Sequence, residues 1–96
     1  MATSFRAEMR LVATDEGGRS TPLRSGYRAI VRVGKAEAEP AWGVEMTLDD
    51  PTSQLAPGES RVVRLSAWAD PPPPSVGTAI YLYEGAKLDG RGVVRE

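Results

Sequence analysis

The 96-residue chain contains no cysteine and no histidine. The absence of cysteine excludes disulfide bonds and thiolate chemistry, so the fold requires no oxidising compartment. The absence of histidine removes the commonest general base and a frequent metal ligand. The serines Ser60, Ser66 and Ser75 have no identifiable base as a partner. The sequence therefore predicts a protein that is not an enzyme and that holds no cofactor and no metal.

Long hydrophobic runs are also missing from this sequence. No apolar stretch approaches the roughly 20 residues of a membrane span, and the first ten residues lack the apolar segment of a signal peptide. We therefore expect a cytoplasmic protein without membrane contact. The contents of 41% hydrophobic and 26% charged residues are ordinary for a globular protein, and the length fits one domain over residues 1–96.

The charge is unevenly distributed along the chain, although the net charge is only −1. Residues 1–34 carry +3, residues 35–60 carry −5 and residues 61–96 carry +1. A strongly basic nucleic-acid binder would show an overall excess of positive charge. Only a local basic patch is compatible with this distribution, whereas the acidic middle would suit a basic protein partner.

Short strands separated by turns are indicated by 10 glycines, 8 prolines and repeated alternation of apolar and polar residues. Period-two patterns predict six strands, at Phe5–Ala13, Tyr27–Val33, Trp42–Leu48 and residues 61–68, 78–85 and 91–96. The segment "AKLDG" before the last strand is interpreted as a turn. Structural turns are expected at Gly17, Gly18, Gly26 and Gly90. This spacing predicts an all-β barrel or sandwich.

Two longer stretches resemble a known family. They are "FRAEMRLVATDEGGRSTPLRSGYRAI" at 5–30 and "IYLYEGAKLDGRGVV" at 80–94, with "GVEM" and "PGES" between them. They resemble the C-terminal β-barrel, the third domain, of elongation factor Tu. The family reads E-E-G-G-R-H-T-P-F and G-Y-R-P-Q-F in the first stretch and E-G-G-R-T-V-G-A-G-V-V in the second. The resemblance implies a closed six-stranded antiparallel barrel over nearly the whole chain.

The chain also departs from that family. It has no G-x-x-x-x-G-K-[ST] motif, so no nucleotide-binding motif is present and GTP hydrolysis by that machinery is excluded. Ser20 replaces the family's histidine, Ala86 replaces its second glycine, and Lys87-Leu88 replaces Arg-Thr. The acidic segment "KAEAEPAW" stands where the family has a T-D-V-T-G loop.

The resemblance implies binding residues at Arg19, Thr21, Glu84 and Gly85. In the family, these loops lie near the T stem of aminoacyl-tRNA. Arg19 would pair with a phosphate and Thr21 would hydrogen-bond sugar or phosphate. The alternative is structural, with the glycine-rich loop as a turn and Glu84 as a solvated residue at the end of a strand.

Three further features have both a functional and a structural interpretation. The residues Arg6, Arg10, Arg28 and Arg32 would form a basic stripe if the first two predicted strands pair. Asp49-Asp50 could bind a hard cation, but the spacing matches no calcium loop and favours a solvated turn. Pro71–Pro74 would serve as a polyproline II ligand or as a rigid connector.

The sequence thus predicts a non-catalytic β-barrel binding module. Its expected partner is an unidentified protein or a second copy of the chain. Binding of the tRNA acceptor arm and T stem is the alternative, as the family resemblance implies.

Overall fold

The computed structural model describes residues 3–18, 20–35, 41–50, 52–68 and 74–95. In these segments the chain forms short strands and a single-turn 3-10 helix. The elements are β1 (Ser4–Leu11), the 3-10 helix (Thr14–Glu16), β2 (Leu23–Arg24), β3 (Tyr27–Val33), β4 (Trp42–Leu48), β5 (Gln54–Leu55), β6 (Ser60–Ala67), β7 (Ala79–Glu84) and β8 (Lys87–Val94).

Six of these strands close into an antiparallel barrel in the order β1-β6-β4-β3-β7-β8, and β8 pairs again with β1. The predicted closed six-stranded antiparallel barrel is therefore confirmed. Closure leaves none of these six strands with an unpaired edge. The short strands β2 and β5 form a separate two-stranded sheet, in which Leu23 lies opposite Leu55.

The barrel interior is filled by one face of each strand, because alternate residues point inward. In β1 the inward residues are Phe5, Ala7, Met9 and Leu11, as the alternation predicts. Each fully buried large aliphatic side chain contributes about 1.5–3 kcal/mol. Leu23 and Leu55 from the small sheet are also buried and belong to the same core. The small sheet therefore contributes to the one hydrophobic core of the barrel.

Among the described residues, one carboxylate, that of Asp89 in β8, is fully buried. The hydroxyl of Tyr27 donates a hydrogen bond to its Oδ2 over 3.3 Å. The backbone carbonyl of Asp89 accepts a hydrogen bond from the N–H of Val12 at 2.8 Å. These contacts tie the beginning of β3 and the end of β1 to β8, as expected for a buried polar group with hydrogen-bonding partners.

The turn predicted over "AKLDG" is correct only for Ala86, because β8 already begins at Lys87. Gly90 lies inside β8, opposite Leu11, and is not a turn residue. A Cβ atom at Gly90 would lie 3.0 Å from the carbonyl oxygen of Arg10. Close approach to β1 therefore explains this glycine. The first strand also ends at Leu11, two residues earlier than its alternation predicts.

The other predicted turn glycines lie in connections between elements. Gly17 follows the 3-10 helix and Gly26 precedes β3, and each has a φ of 92°. Gly18 is constrained by space, since a Cβ there would lie 2.0 Å from the carbonyl oxygen of Val12. Left-handed backbone and close packing thus explain these three positions without a ligand.

Candidate functional site

An outward row of residues crosses three neighbouring strands and ends on a tryptophan. Ile30 of β3 lies opposite Tyr83 of β7 on one side and opposite Gly43 of β4 on the other. Trp68 follows the end of β6, and its backbone N–H donates to the carbonyl of Gly43 over 3.2 Å. The strand register therefore places Tyr83, Ile30, Gly43 and Trp68 side by side on the outer surface.

Because Gly43 has no side chain, the Trp68 ring can pack directly against its backbone. A Cβ atom at Gly43 would lie only 2.9 Å from a carbon of that ring. The guanidinium of Arg28 lies 5.2 Å from the ring centroid, within the range of a cation–π contact. Trp68 nevertheless remains 56% exposed. The ring is thus positioned by its neighbours while much of it stays available for contact.

The other end of the row is formed by Tyr83. The guanidinium of Arg32 lies 5.5 Å from the centroid of the Tyr83 ring. Between the two aromatic residues the surface forms an open groove of about 360 Å³, a volume typical of small binding clefts. We call it the aromatic groove. Its lining residues are Arg28, Ala29, Ile30, Gly43, Trp68, Tyr83, Glu84 and Gly85.

The charges around the aromatic groove balance one another. Arg28 and Arg32 provide two positive charges, while Glu84 lies on the groove and Glu45 lies opposite Arg28 in the register. Among the described residues, those that line the groove combine an apolar floor with one cation, Arg28, and one anion, Glu84. Such a surface suits a partner that inserts apolar groups and carries charges of both signs.

The structure brings only part of the predicted tRNA site together. Glu84 and Gly85 line the aromatic groove, whereas the described lining residues do not include Thr21. Thr21 is exposed in the connection between the 3-10 helix and β2. Arg19 lies outside the described residues.

The backbone conformation of the loop between β7 and β8 explains why residue 85 is a glycine. It is the first residue of the two-residue loop between β7 and β8, since Glu84 pairs with Lys87. Its φ is 63°, and the second loop residue, Ala86, has no positive φ. This combination is typical of a type II′ hairpin turn, which favours glycine at the first position.

The predicted basic stripe is wrong, because β1 and β3 do not pair. Two strands separate them in either direction around the barrel, β6 and β4 on one side and β8 and β7 on the other. Arg6 and Arg10 therefore lie on the side of the barrel opposite Arg28 and Arg32.

A second surface lies on the outward side of β6, β1 and β8. We call it the arginine face, after Arg10 of β1 and Arg91 of β8. Arg10 of β1 lies directly opposite Arg91 of β8. One nitrogen of Arg10 lies 3.4 Å from a carboxylate oxygen of Glu16. Two like charges directly opposite each other in a sheet are unfavourable. Glu16 lies beside both arginines in one small surface pocket, so its carboxylate offsets part of their positive charge.

The acidic residues of the middle segment support local turns. The Asp50 carboxylate accepts hydrogen bonds from the hydroxyl and the backbone N–H of Thr52, which lower the pKa of Asp50. The carboxylate of Glu59 accepts the N–H of Ala56, and this bond, with Arg61 nearby, lowers the pKa of Glu59. Within the described segments no group of three or more acidic, His or Cys side chains is placed to hold a metal ion.

No protein-family model matches the chain. Across the part that the structure describes, no helix has the length and apolarity needed to cross a membrane.

Sequence reasoning missed the central residues of the aromatic groove, namely Trp68, Gly43 and Tyr83. A glycine inside a strand pattern is one usable signal, because it often marks a close approach. The second signal is a tryptophan directly after a predicted strand pattern, followed by Ala69, Asp70 and four prolines.

Proposed function

We propose that the protein is a non-catalytic binding module and that the aromatic groove is its contact surface for another protein. The observation that supports this proposal is Trp68, which is 56% exposed and is held in place by Gly43 and Arg28. An exposed tryptophan beside a second aromatic ring and an arginine is a surface of the kind that protein interfaces use, since aromatic residues and arginine are enriched there.

The composition of the groove supports a protein partner. Tryptophan, tyrosine and arginine are the residues most enriched at energetic hot spots of protein interfaces. The groove has two aromatic rings, each with an arginine close to its face. Because the rings are already positioned, less conformational entropy is lost on binding.

We also propose kinship with the third domain of elongation factor Tu. The order of the glycine-rich motifs along the chain and the closed six-stranded barrel support it. A module of this type would present its outer strand faces and loops to a partner.

The experiment is affinity capture from the native lysate with three baits: wild type, Trp68→Ala and Val62→Ala. Val62 is an exposed apolar residue of β6, away from the groove, and serves as the matched control. We expect a protein retained by wild type and Val62→Ala and lost with Trp68→Ala, since truncating a hot-spot residue costs about 2 kcal/mol or more. Equal retention by all three baits would contradict the proposed surface.

RNA binding is the second candidate function, because Arg10 and Arg91 lie directly opposite each other. Paired arginines suit the oxygen atoms of phosphate groups. The residues that the family resemblance implies, Arg19, Thr21, Glu84 and Gly85, are a separate candidate site, since Glu84 and Gly85 line the aromatic groove. Titration with tRNA in about 50 mM salt is the test, since phosphate-driven affinity is strong there. Binding that weakens steeply with salt and is reduced in Arg91→Ala would support this function, and no binding at that salt would eliminate it.

A further inference from the structure

We infer that the arginine face binds a terminal phosphate group, that is a phosphomonoester or a diphosphate, beside Arg91 and Arg10. This site is separate from the protein contact proposed for the aromatic groove. It uses the same two arginines as the RNA alternative but takes a different ligand. A terminal phosphate carries about two negative charges and has three acceptor oxygens, whereas an internal phosphate of an RNA chain carries only one charge.

Arg91 supplies a guanidinium that no other described side chain engages. It is exposed on β8, and it forms no side-chain hydrogen bond or ion pair within the part of the chain that the structure describes. A guanidinium has N–H donors in a planar fork that matches the oxygen atoms of a phosphate. The donors of Arg91 are therefore open to a ligand.

Arg10 places a second guanidinium beside the first. The two arginines lie directly opposite each other on β1 and β8, and the Cβ atoms of such a pair are about 4.5–5.5 Å apart. One terminal nitrogen of Arg10 contacts Glu16 at 3.4 Å, which is long for a hydrogen bond. The other N–H groups of Arg10 can therefore bind the same anion as Arg91.

Two surface depressions, of about 330 and about 350 Å³, share this arginine pair. Glu16 lies in the first. The second is lined by Ser60, Gly92 and Glu8, and the Glu8 carboxylate is already paired with Arg95. We place the phosphate in the second depression, because its carboxylate is neutralised there and the Ser60 hydroxyl adds a further donor.

The charge of the pair favours an anion. Two like charges directly opposite each other are unfavourable, and Glu16 offsets only one of them. Among the described residues that line the two depressions, one positive charge thus remains in excess once Glu8 is paired with Arg95. A doubly charged phosphate would relieve the repulsion and accept charge-assisted hydrogen bonds from both arginines.

Isothermal titration calorimetry of the full chain with inorganic diphosphate, in about 50 mM salt, is the primary test. We expect saturable binding with a Kd of about 1 mM or below. Arg91→Gln should weaken it at least about tenfold. Glu16→Gln removes a competing charge but keeps an acceptor oxygen for the N–H of Ala13, so it should tighten binding about two- to fivefold.

Arg64→Gln is the matched control, because it removes one positive charge from the same face. Arg64 lies on β6, donates to the hydroxyl of Ser4 and lines neither depression. Its loss should change the Kd less than about twofold, since exposed charges are screened. Thermal unfolding verifies that each variant is folded. Diphosphate should raise the melting temperature of wild type and of Arg64→Gln but not that of Arg91→Gln.

A competition experiment distinguishes terminal from internal phosphates. Glycerol phosphate, a phosphomonoester, should displace diphosphate, whereas an oligouridylate without terminal phosphates should not. Displacement by the oligouridylate but not by glycerol phosphate would assign the two arginines to an RNA backbone and overturn the inference.

Two further results would overturn it. One is the lack of saturable binding by wild type up to about 10 mM diphosphate. The other is an equal loss of binding in Arg64→Gln and Arg91→Gln, which would mean general attraction to a basic surface. The protein contact at the aromatic groove is tested separately. Trp68→Ala should leave diphosphate binding unchanged, and Arg91→Gln should leave the capture of a protein unchanged.

Discussion

The two outer faces of the barrel share one core but differ in chemistry. The aromatic groove is apolar and electrically balanced, and its two arginines lie close to ring faces. The arginine face instead sets Arg10 directly against Arg91, so two like charges meet across neighbouring strands. Because the core residues point inward on both sides, the difference arises entirely from the outward half of each alternating pattern.

Glycine has a different role on each face. Beneath the arginine face, Gly92 lies opposite the buried Met9, and a Cβ atom there would lie 2.6 Å from the backbone carbonyl oxygen of Glu8. On the groove face, a Cβ atom at Gly43 would meet a side chain, the Trp68 ring, at 2.9 Å. A backbone atom held in a closed sheet has little room to move, whereas a ring on the surface can rotate away. Gly92 should therefore matter for the fold and Gly43 for the groove.

The largest effect is expected for Gly92→Ala. The added methyl group would force β1 and β8 apart at the seam that closes the barrel. We expect a loss of about 2 kcal/mol or more in the free energy of unfolding, in the range of overpacked sites. Urea unfolding measures it, with Ser60→Ala on the same face as the control. A loss below that of the control would show that the two strands can separate without strain.

A smaller loss is expected for Gly85→Val at the edge of the groove. Valine cannot readily adopt the φ of 63° found here, so we expect a loss of about 1–2 kcal/mol in the free energy of unfolding. No atoms crowd this position within 4 Å, so the loss would come from backbone strain alone. Ala86→Val is the matched control in the same loop. Equal melting temperatures for the two variants would argue against the hairpin turn.

The barrel could be predicted from the sequence because burial determines its strands. Alternation in β1, β3, β4 and β6 shows directly which residues face the core, as with Met9 and Val31. The strands β2 and β5 have only two residues each, too few to show a period. The prediction of a turn at Gly90 is wrong because the need for glycine comes from a neighbouring strand, where a Cβ atom would crowd the carbonyl oxygen of Arg10.

The groove could not be predicted, because it depends on the strand register. Gly43 and Trp68 are distant in the sequence and become neighbours only when β4 pairs with β6. Tyr83 reaches the same row through the pairing of β7 with β3. Of its lining residues, the sequence singles out only Arg28, as part of a basic stripe, and Glu84 and Gly85, through the family resemblance. Composition and local pattern carry no information on such cross-strand contacts.

The charge difference between the two faces predicts that matched substitutions change the free energy of unfolding in opposite directions. Arg91→Glu places a carboxylate opposite Arg10, so we expect the free energy of unfolding to rise by about 0.5–1 kcal/mol at low salt. Arg28→Glu is the matched change on the groove face. It places two carboxylates opposite each other, because Glu45 is the partner of Arg28, and it should lower stability by a similar amount.

Urea unfolding at about 20 mM and about 500 mM salt tests this pair, since screening weakens both effects. The same sign of change for both variants would mean that the register partners do not determine the electrostatics of either face.

The smallest effect on stability, and the most direct test of the groove, is expected for Gly43→Ala. Because the added methyl group meets a surface ring and no backbone atom within the crowded range, the free energy of unfolding should change by less than about 0.5 kcal/mol. The ring of Trp68 must nevertheless move off β4, which would separate it from Arg28. Tryptophan fluorescence in a Trp42→Phe background reports on this ring alone, and its emission should shift to longer wavelength as exposure increases. The variant should also lose the Trp68-dependent capture of a partner while keeping its melting temperature. If the emission is unchanged and binding persists, the bare backbone of Gly43 does not position the ring, and the contrast with Gly92 would fail.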